Sequence, residues 1–255
     1  MVESIFFDGS LVWILALVFF CVALMYSSVG LGGGSSYTAL LSIAGVGFGS
    51  IPTISLLLNL TVTSVGSLNY ARFKHVNYRL VLPFLITSIP MAFLGGSLSI
   101  SRVVFEWLLL SSLVFVAFRI YFWTDVQIQY ALPGPMKRAL PFVLGAILGM
   151  LAGIVGIGGG IFLVPLILVF NLGSEKEAAA TGSIFILANS IAGVAARVQY
   201  HSLDWSYWWP VIAAVFLGGA LGSYLGAARF SGKSIQRTLG IVIVLAIIFL
   251  TRRVI

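Results

Sequence analysis

Apolar residues gather into long runs along this chain, separated by short polar connections. Each unbroken run offers ~16–23 residues, close to the ~20 that an α-helix needs to cross a bilayer. The first run, 11–29, stops at a cluster of glycines and resumes over 35–44, so that 11–44 reads as one broken helix. Unbroken runs follow at about 52–73, 80–98 and 103–123. The order then repeats, with a broken helix over 139–170 and runs at about 178–199, 207–229 and 235–250. Residues 1–123 and 137–255 are therefore two repeats joined by a linker, 124–136, where Leu132-Pro133-Gly134-Pro135 argues against helix. Pro52 suits the first turn of its helix, while Pro83 and Pro90 predict bends inside theirs.

The two interruptions are near copies. Val29-Gly30-Leu31-Gly32-Gly33-Gly34 and Val155-Gly156-Ile157-Gly158-Gly159-Gly160 lie 126 residues apart. At that offset Leu40 meets Leu166, Gly47 meets Gly173 and Ser64 meets Ser190 without a gap. Each motif has four glycines, which lack a Cβ, can adopt positive φ and can expose backbone N–H groups. Irregular backbone inside a membrane must be packed in protein or line a polar cavity. Interruptions at equivalent places in two halves point to a transporter's binding site. Close helix packing is the competing explanation, although small-residue packing motifs do not require three adjacent glycines.

Composition agrees with a bilayer location. Hydrophobic residues make up 60% of the chain and charged residues 8%, and the mean hydropathy is +1.11. The seven acids (Glu3, Asp8, Glu106, Asp125, Glu175, Glu177 and Asp204) fall near the N-terminus, at segment ends or in connections. The net charge of +7 does not indicate nucleic acid, because the basic residues are scattered through short loops as topology signals are. Cys21 is the single cysteine and is expected as an ordinary buried thiol. The acidic N-terminus has no cleavage-site pattern after the first apolar run, which is expected to stay as a membrane segment.

If each glycine break reverses the chain, the repeats are inverted and, with Arg119 left out as intrahelical, nine basic residues lie on the inner side against four outside. If it does not, the repeats are parallel and the count is eight against five. The positive-inside rule therefore favours inversion, with both termini outside. The fold expected is an all-α polytopic membrane protein of two inverted-topology repeats. Each would be a glycine-broken helical hairpin plus three transmembrane helices. The 19 residues of 11–29 are nevertheless long enough for a full crossing, which leaves open a full helix followed by a half-helix.

In the inverted arrangement, half-helices starting at Gly34 and Gly160 present their N-termini to each other near the midplane. Free N–H groups and the positive ends of two helix dipoles would bind an anion there without a buried lysine or arginine. The absence of acids from the segment centres fits the same sign of ligand. The candidate substrate-binding residues are Gly30, Gly32, Gly33, Gly34 and Ser35 at the first break, and Gly156, Gly158, Gly159 and Gly160 at the second. Asn59 and Thr63 on the first 52–73 helix, and Thr181, Ser183 and Asn189 on its counterpart, could complete the pocket, as could Ser27 and Ser28. Each of these polar side chains, taken singly, is better accounted for by a helix–helix hydrogen bond than by a ligand contact; it is their recurrence on both helices beside both breaks that points to a pocket. Arg72 and Arg197 end matching helices in similar contexts and are candidate entrance arginines, Arg197 more so because it would face outward. The two histidines, His75 and His201, lie in loops without HExxH or nucleophile–base spacing, and neither glycine motif ends in GK[ST]. Neither catalytic chemistry, a metal site nor a cofactor is expected.

Together these features resemble the sulfite exporter TauE/SafE family of membrane permeases. The resemblance rests on the duplicated VGxGGG motif, Val29 to Gly34 and Val155 to Gly160, and spans about 11–253. It includes an aromatic turn, Ser202-Leu203-Asp204-Trp205, for which the first half has His75-Val76-Asn77-Tyr78. The resemblance implies a secondary transporter in the cytoplasmic (inner) membrane of a prokaryote. Its substrate would be a small anion such as sulfite, thiosulfate or sulfoacetate, moved by alternating access. A proton, a sodium ion or the membrane potential could drive it. A passive anion channel, or a structural or assembly membrane protein whose glycines only pack helices, are the alternatives. The partners expected are the anion and the lipid bilayer, with no nucleic acid; the sequence does not specify an oligomeric state.

Overall fold

The computed structural model describes residues 9–122, 134–197 and 205–228, together with 247, 248 and 251. The linker's 124–133, the turn at 202–204 with His201, and nearly all of the run at 235–250 lie outside the described residues. Within them the chain forms α1 (Gly9–Ser27), α2 (Gly34–Ile43), α3 (Ile51–Arg72), α4 (Tyr78–Ser97) and α5 (Arg102–Phe122). The second half forms α6 (Gly134–Val155), α7 (Gly160–Val169), α8 (Glu175–Arg197) and α9 (Trp205–Ala228). Five of these helices are long and apolar enough to cross a membrane, and the molecule is an all-α multi-pass membrane protein.

Local chemistry sets the boundaries. Pro52 occupies the first turn of α3, and the Asn77 side chain caps α4 by accepting from the Arg79 N–H at 3.2 Å. α4 continues through both Pro83 and Pro90 to Ser97. α6 starts at Gly134, before the expected 139, and its Pro135 explains why. In a first turn the missing N–H has no intrahelical partner to lose. The 19 residues of α1 and 22 of α6 give helices of bilayer length, whereas α2 and α7 have 10 residues each. Ten residues rise ~15 Å, about half the hydrocarbon core. Each broken element is thus one long helix followed by one short one.

The two halves interleave. α1 packs along α9, α6 along α4, and α3 against α8, with α9 also touching α3 and α4 also touching α8. Two stripes of glycine permit the first two contacts. Gly145, Gly149 and Gly153 of α6 lie on the backbone of α4 at Phe84, Ser88 and Ala92. Gly218 and Gly222 of α9 lie on the backbone of α1 at Phe20 and Leu24, and Gly226 on the backbone of Ser28 just past its end. In a membrane, where lipid is as apolar as leucine, such backbone contact supplies the dispersion energy that holds helices together. Large apolar side chains including Leu17, Ile86, Val103 and Trp209 cover the outside. Cys21 is also exposed, contrary to the expectation of a buried thiol. In an apolar solvent an apolar neighbourhood no longer implies the interior, so Cys21 sits on the outer face of α1.

Candidate functional site

The short helices begin at the glycine motifs. Gly33 and Gly159 are the N-cap residues of α2 and α7, with φ of 93° and 74°, left-handed values that suit glycine. Neither N-terminus receives a side-chain cap. The N–H groups of each first turn therefore lack the usual hydroxyl or carboxylate acceptor.

The two breaks meet in space. A Cβ built on Gly34 would lie 2.5 Å from the Ile157 carbonyl oxygen, inside the other motif. Asn59 of α3 flanks the junction on one side, where its amide is among the nearest neighbours of Gly32, Gly34 and Gly158. Its Nδ2 donates to the Gly156 carbonyl at 3.4 Å, a long bond that links the halves. Ile186 of α8 flanks the other side, next to Gly32, Gly158 and Gly160. The outer glycines pack reciprocally: Gly30 lies on the backbone of Ala179 in α8, and Gly156 on the backbone of Pro52 in α3.

These contacts shift the internal alignment by one residue. Gly30 and Gly156 are 126 apart, but their partners Ala179 and Pro52 are 127 apart, as are Asn59 and Ile186. On the 52–73 helices the ungapped match of Ser64 with Ser190 is therefore one residue out of step with the packing.

The surroundings of α2 and α7 differ in polarity. Around α2 the Tyr26 hydroxyl lies 3.2 Å from the Ser35 hydroxyl and accepts from Ser36 at 2.9 Å. Thr38 donates to the Gly34 carbonyl at 2.7 Å and its hydroxyl lies 2.9 Å from that of Ser55, which reaches the same carbonyl at 3.1 Å. Two further polar atoms at this end are fully buried without a hydrogen-bond partner, the Tyr37 hydroxyl and Asn59 Oδ1. Tyr37 lies one turn into α2 and its side chain folds back to Gly33, following the N-terminal tilt of helical side chains. α7 instead opens Gly160-Ile161-Phe162-Leu163, and its break is lined by Phe185 and Ile186.

The remaining sequence candidates separate. Thr63 donates to the Asn59 carbonyl of its own helix at 2.7 Å, and the Ser183 hydroxyl meets that of Ser67 at 3.2 Å between α8 and α3. Thr181 and Asn189 are fully buried on α8 with Thr181 Oγ1 and both Asn189 amide atoms unpaired, yet neither is a nearest neighbour of a break glycine. Ser27 and Ser28 bond carbonyls one turn back in α1. Arg72 is exposed. Arg197 is half-buried and donates to the Gly153 and Ile154 carbonyls at 2.7 and 3.0 Å, closing the end of α6. Tyr37 and Ile186 were not singled out in the sequence. Tyr37 could have been found by its place one turn after the motif, whereas Ile186 has no signal beyond hydrophobicity.

Comparison with known proteins adds the family. The model described as "Sulfite exporter TauE/SafE" matches residues 15–250. A probable membrane transporter protein of Sinorhizobium fredii, y4hK, is 31% identical over 91% of this chain and 95% of its own length. A second, YunE of Bacillus subtilis, is 26% identical over 86% of this chain and 89% of its own. A third, from the archaeon Methanocaldococcus jannaschii, is 24% identical over 76% of this chain. No solved structure matches.

Proposed function

The chain belongs to the sulfite exporter TauE/SafE family, and on that premise we propose that it carries a sulfur oxyanion or organosulfonate through the junction of its two glycine breaks. The coarser function follows from the family itself: this is a multi-pass inner-membrane transporter of a small anion, not an enzyme. The binding site lies between the N-termini of α2 and α7, and substrate moves by alternating access of two inverted repeats, driven by a proton, a sodium ion or the membrane potential. Both termini face outward.

The observation that carries this reading is the meeting of Gly34 with Ile157, flanked by Asn59. Two uncapped helix N-termini at one buried junction concentrate partial positive charge where no lysine or arginine is needed. The reciprocal pairing of α1 with α9 and α6 with α4 supports two related halves that can rock against each other. Gly30 and Gly156 are assigned to packing, since a Cβ at either would overlap backbone of the facing helix.

Reconstituted protein tests the proposal. Uptake of sulfite or thiosulfate into proteoliposomes should saturate and show counterflow. Flux without saturation would indicate a passive channel. A panel of small anions that neither shifts the melting temperature nor crosses the membrane would return the junction to helix packing.

A further inference from the structure

The repeat duplicates the bare backbone of the two breaks but not the hydroxyls beside it. At the offset of 126 that aligns the glycine motifs, Tyr26, Ser35, Ser36 and Tyr37 meet Ala152, Ile161, Phe162 and Leu163. α7 makes the same left-handed N-cap and the same ten-residue helix with no hydroxyl in any of these four places, so the broken element does not need them to fold. In the first half three of the four hydroxyls hold one another, Tyr26 lying 3.2 Å from Ser35 and 2.9 Å from Ser36. Tyr37 stands apart. Its ring packs on Phe19 with centroids 5.0 Å apart, and its hydroxyl is fully buried with no hydrogen-bond partner among the described residues. A Cβ built on Gly33 would lie 2.9 Å from that oxygen, which puts the hydroxyl at the N-cap of α2, the end whose N–H groups no side chain caps. A phenol buried there has lost its water and is left without an acceptor, an arrangement that costs free energy unless a ligand supplies one.

We infer that Tyr37 is a substrate-binding residue, whose hydroxyl donates to the anion at the N-terminus of α2. This rests on the anion-transport reading given above and adds to it a side chain that neither glycine motif contains. The hydroxyl and the first-turn N–H groups are donors at one end of one helix, where an anion gains both a charge-assisted bond and the favourable end of the dipole. Leu163, in the equivalent place on α7, has no donor to offer. The two N-termini, alike in backbone, therefore do not hold the anion alike. Asn59 Oδ1, an acceptor, takes no part in the contact.

The test compares the purified full-length protein with its Tyr37→Phe variant, reading affinity for sulfite and thiosulfate by calorimetry and melting temperature without either anion. Tyr37→Phe should weaken binding about ten- to a hundredfold, the range for a hydrogen bond to a charged group. Its ligand-free melting temperature should equal or exceed that of the parent, because the hydroxyl removed had no partner to lose. Tyr26→Phe is the contrast: it removes a hydroxyl already engaged by Ser35 and Ser36 and should lower the melting temperature. Unchanged affinity for both anions in Tyr37→Phe overturns the assignment and leaves the anion transporter standing. A lowered ligand-free melting temperature in Tyr37→Phe shows the hydroxyl bonded within the protein and overturns it as well. A parent protein that binds neither anion overturns both this contact and the reading on which it rests.

Discussion

Tyr70 and Arg197 perform one task in the two halves. The Tyr70 hydroxyl donates to the Ser28 carbonyl at 3.1 Å, beyond the end of α1, and Arg197 donates to the Gly153 carbonyl at 2.7 Å, at the end of α6. The last carbonyls of a helix have no intrahelical donor, and in a membrane no water is at hand to supply one. A phenol in one half and a guanidinium in the other meet the same need, 127 residues apart.

That equivalence predicts the outcome of exchanging the groups. Arg197→Leu should cost roughly 1.5–3 kcal/mol, the range for a hydrogen bond from a charged donor, and lower the melting temperature. Arg197→Tyr should recover much of it. If Arg197 instead draws anions into an outer mouth, Arg197→Tyr would raise the transport KM while leaving the melting temperature alone. Both quantities measured on both variants decide between the roles.

At the breaks, Gly33→Ala and Gly159→Ala place a Cβ on left-handed residues that meet Tyr37 and Phe185 respectively. Loss of one charge-assisted N–H contact would weaken anion binding about ten- to a hundredfold. The larger loss is expected for Gly33, on the polar side. Because the residues share one ligand, their double variant need not be additive. A lowered melting temperature with unchanged affinity in both single variants would assign these glycines to packing.

The glycine stripes should behave otherwise. An added Cβ at Gly149 would come within 2.6 Å of the Ser88 Cα and force α6 away from α4. Gly149→Ala should therefore cost about 1–3 kcal/mol through overpacking. Gly47→Ala is the control, since nothing lies within 4 Å of that Cβ, and its effect should stay within about 0.5 kcal/mol. Thermal unfolding in detergent reads both. Equal melting temperatures for Gly149→Ala and the parent would show that the stripe tolerates separation.

Sidedness is open to direct labelling. In a Cys21→Ala background, cysteines at His75 and Lys137 should resist an impermeant maleimide applied outside, and one at Leu203 should react. His75 lies 3.2 Å from the Ala227 carbonyl, so a cysteine placed at Ala228 should share its side. Labelling of 75 and 203 from the same face would refute the inverted repeat. Labelling of 75 alone would reverse the orientation.

Among the described residues, the sequence by itself determined the helices and the two breaks. Runs of bilayer length declare themselves because a membrane span must satisfy its own backbone, and four glycines in six residues cannot continue a helix unnoticed. It also identified Asn59 and the glycines that now surround it, because an amide and bare backbone stand out against an apolar chain. The tertiary structure decided which residues face one another. Nothing in the letters places Gly34 on Ile157 or gives Asn59 an isoleucine as its counterpart, since contacts of that kind depend on how two helices approach in three dimensions. The direction of Cys21 was illegible for a related reason: lipid and protein interior are equally apolar, so hydrophobicity cannot distinguish inward from outward. Arg197 and Tyr70 look unrelated as residues, and only the free carbonyls at two helix ends make them equivalent.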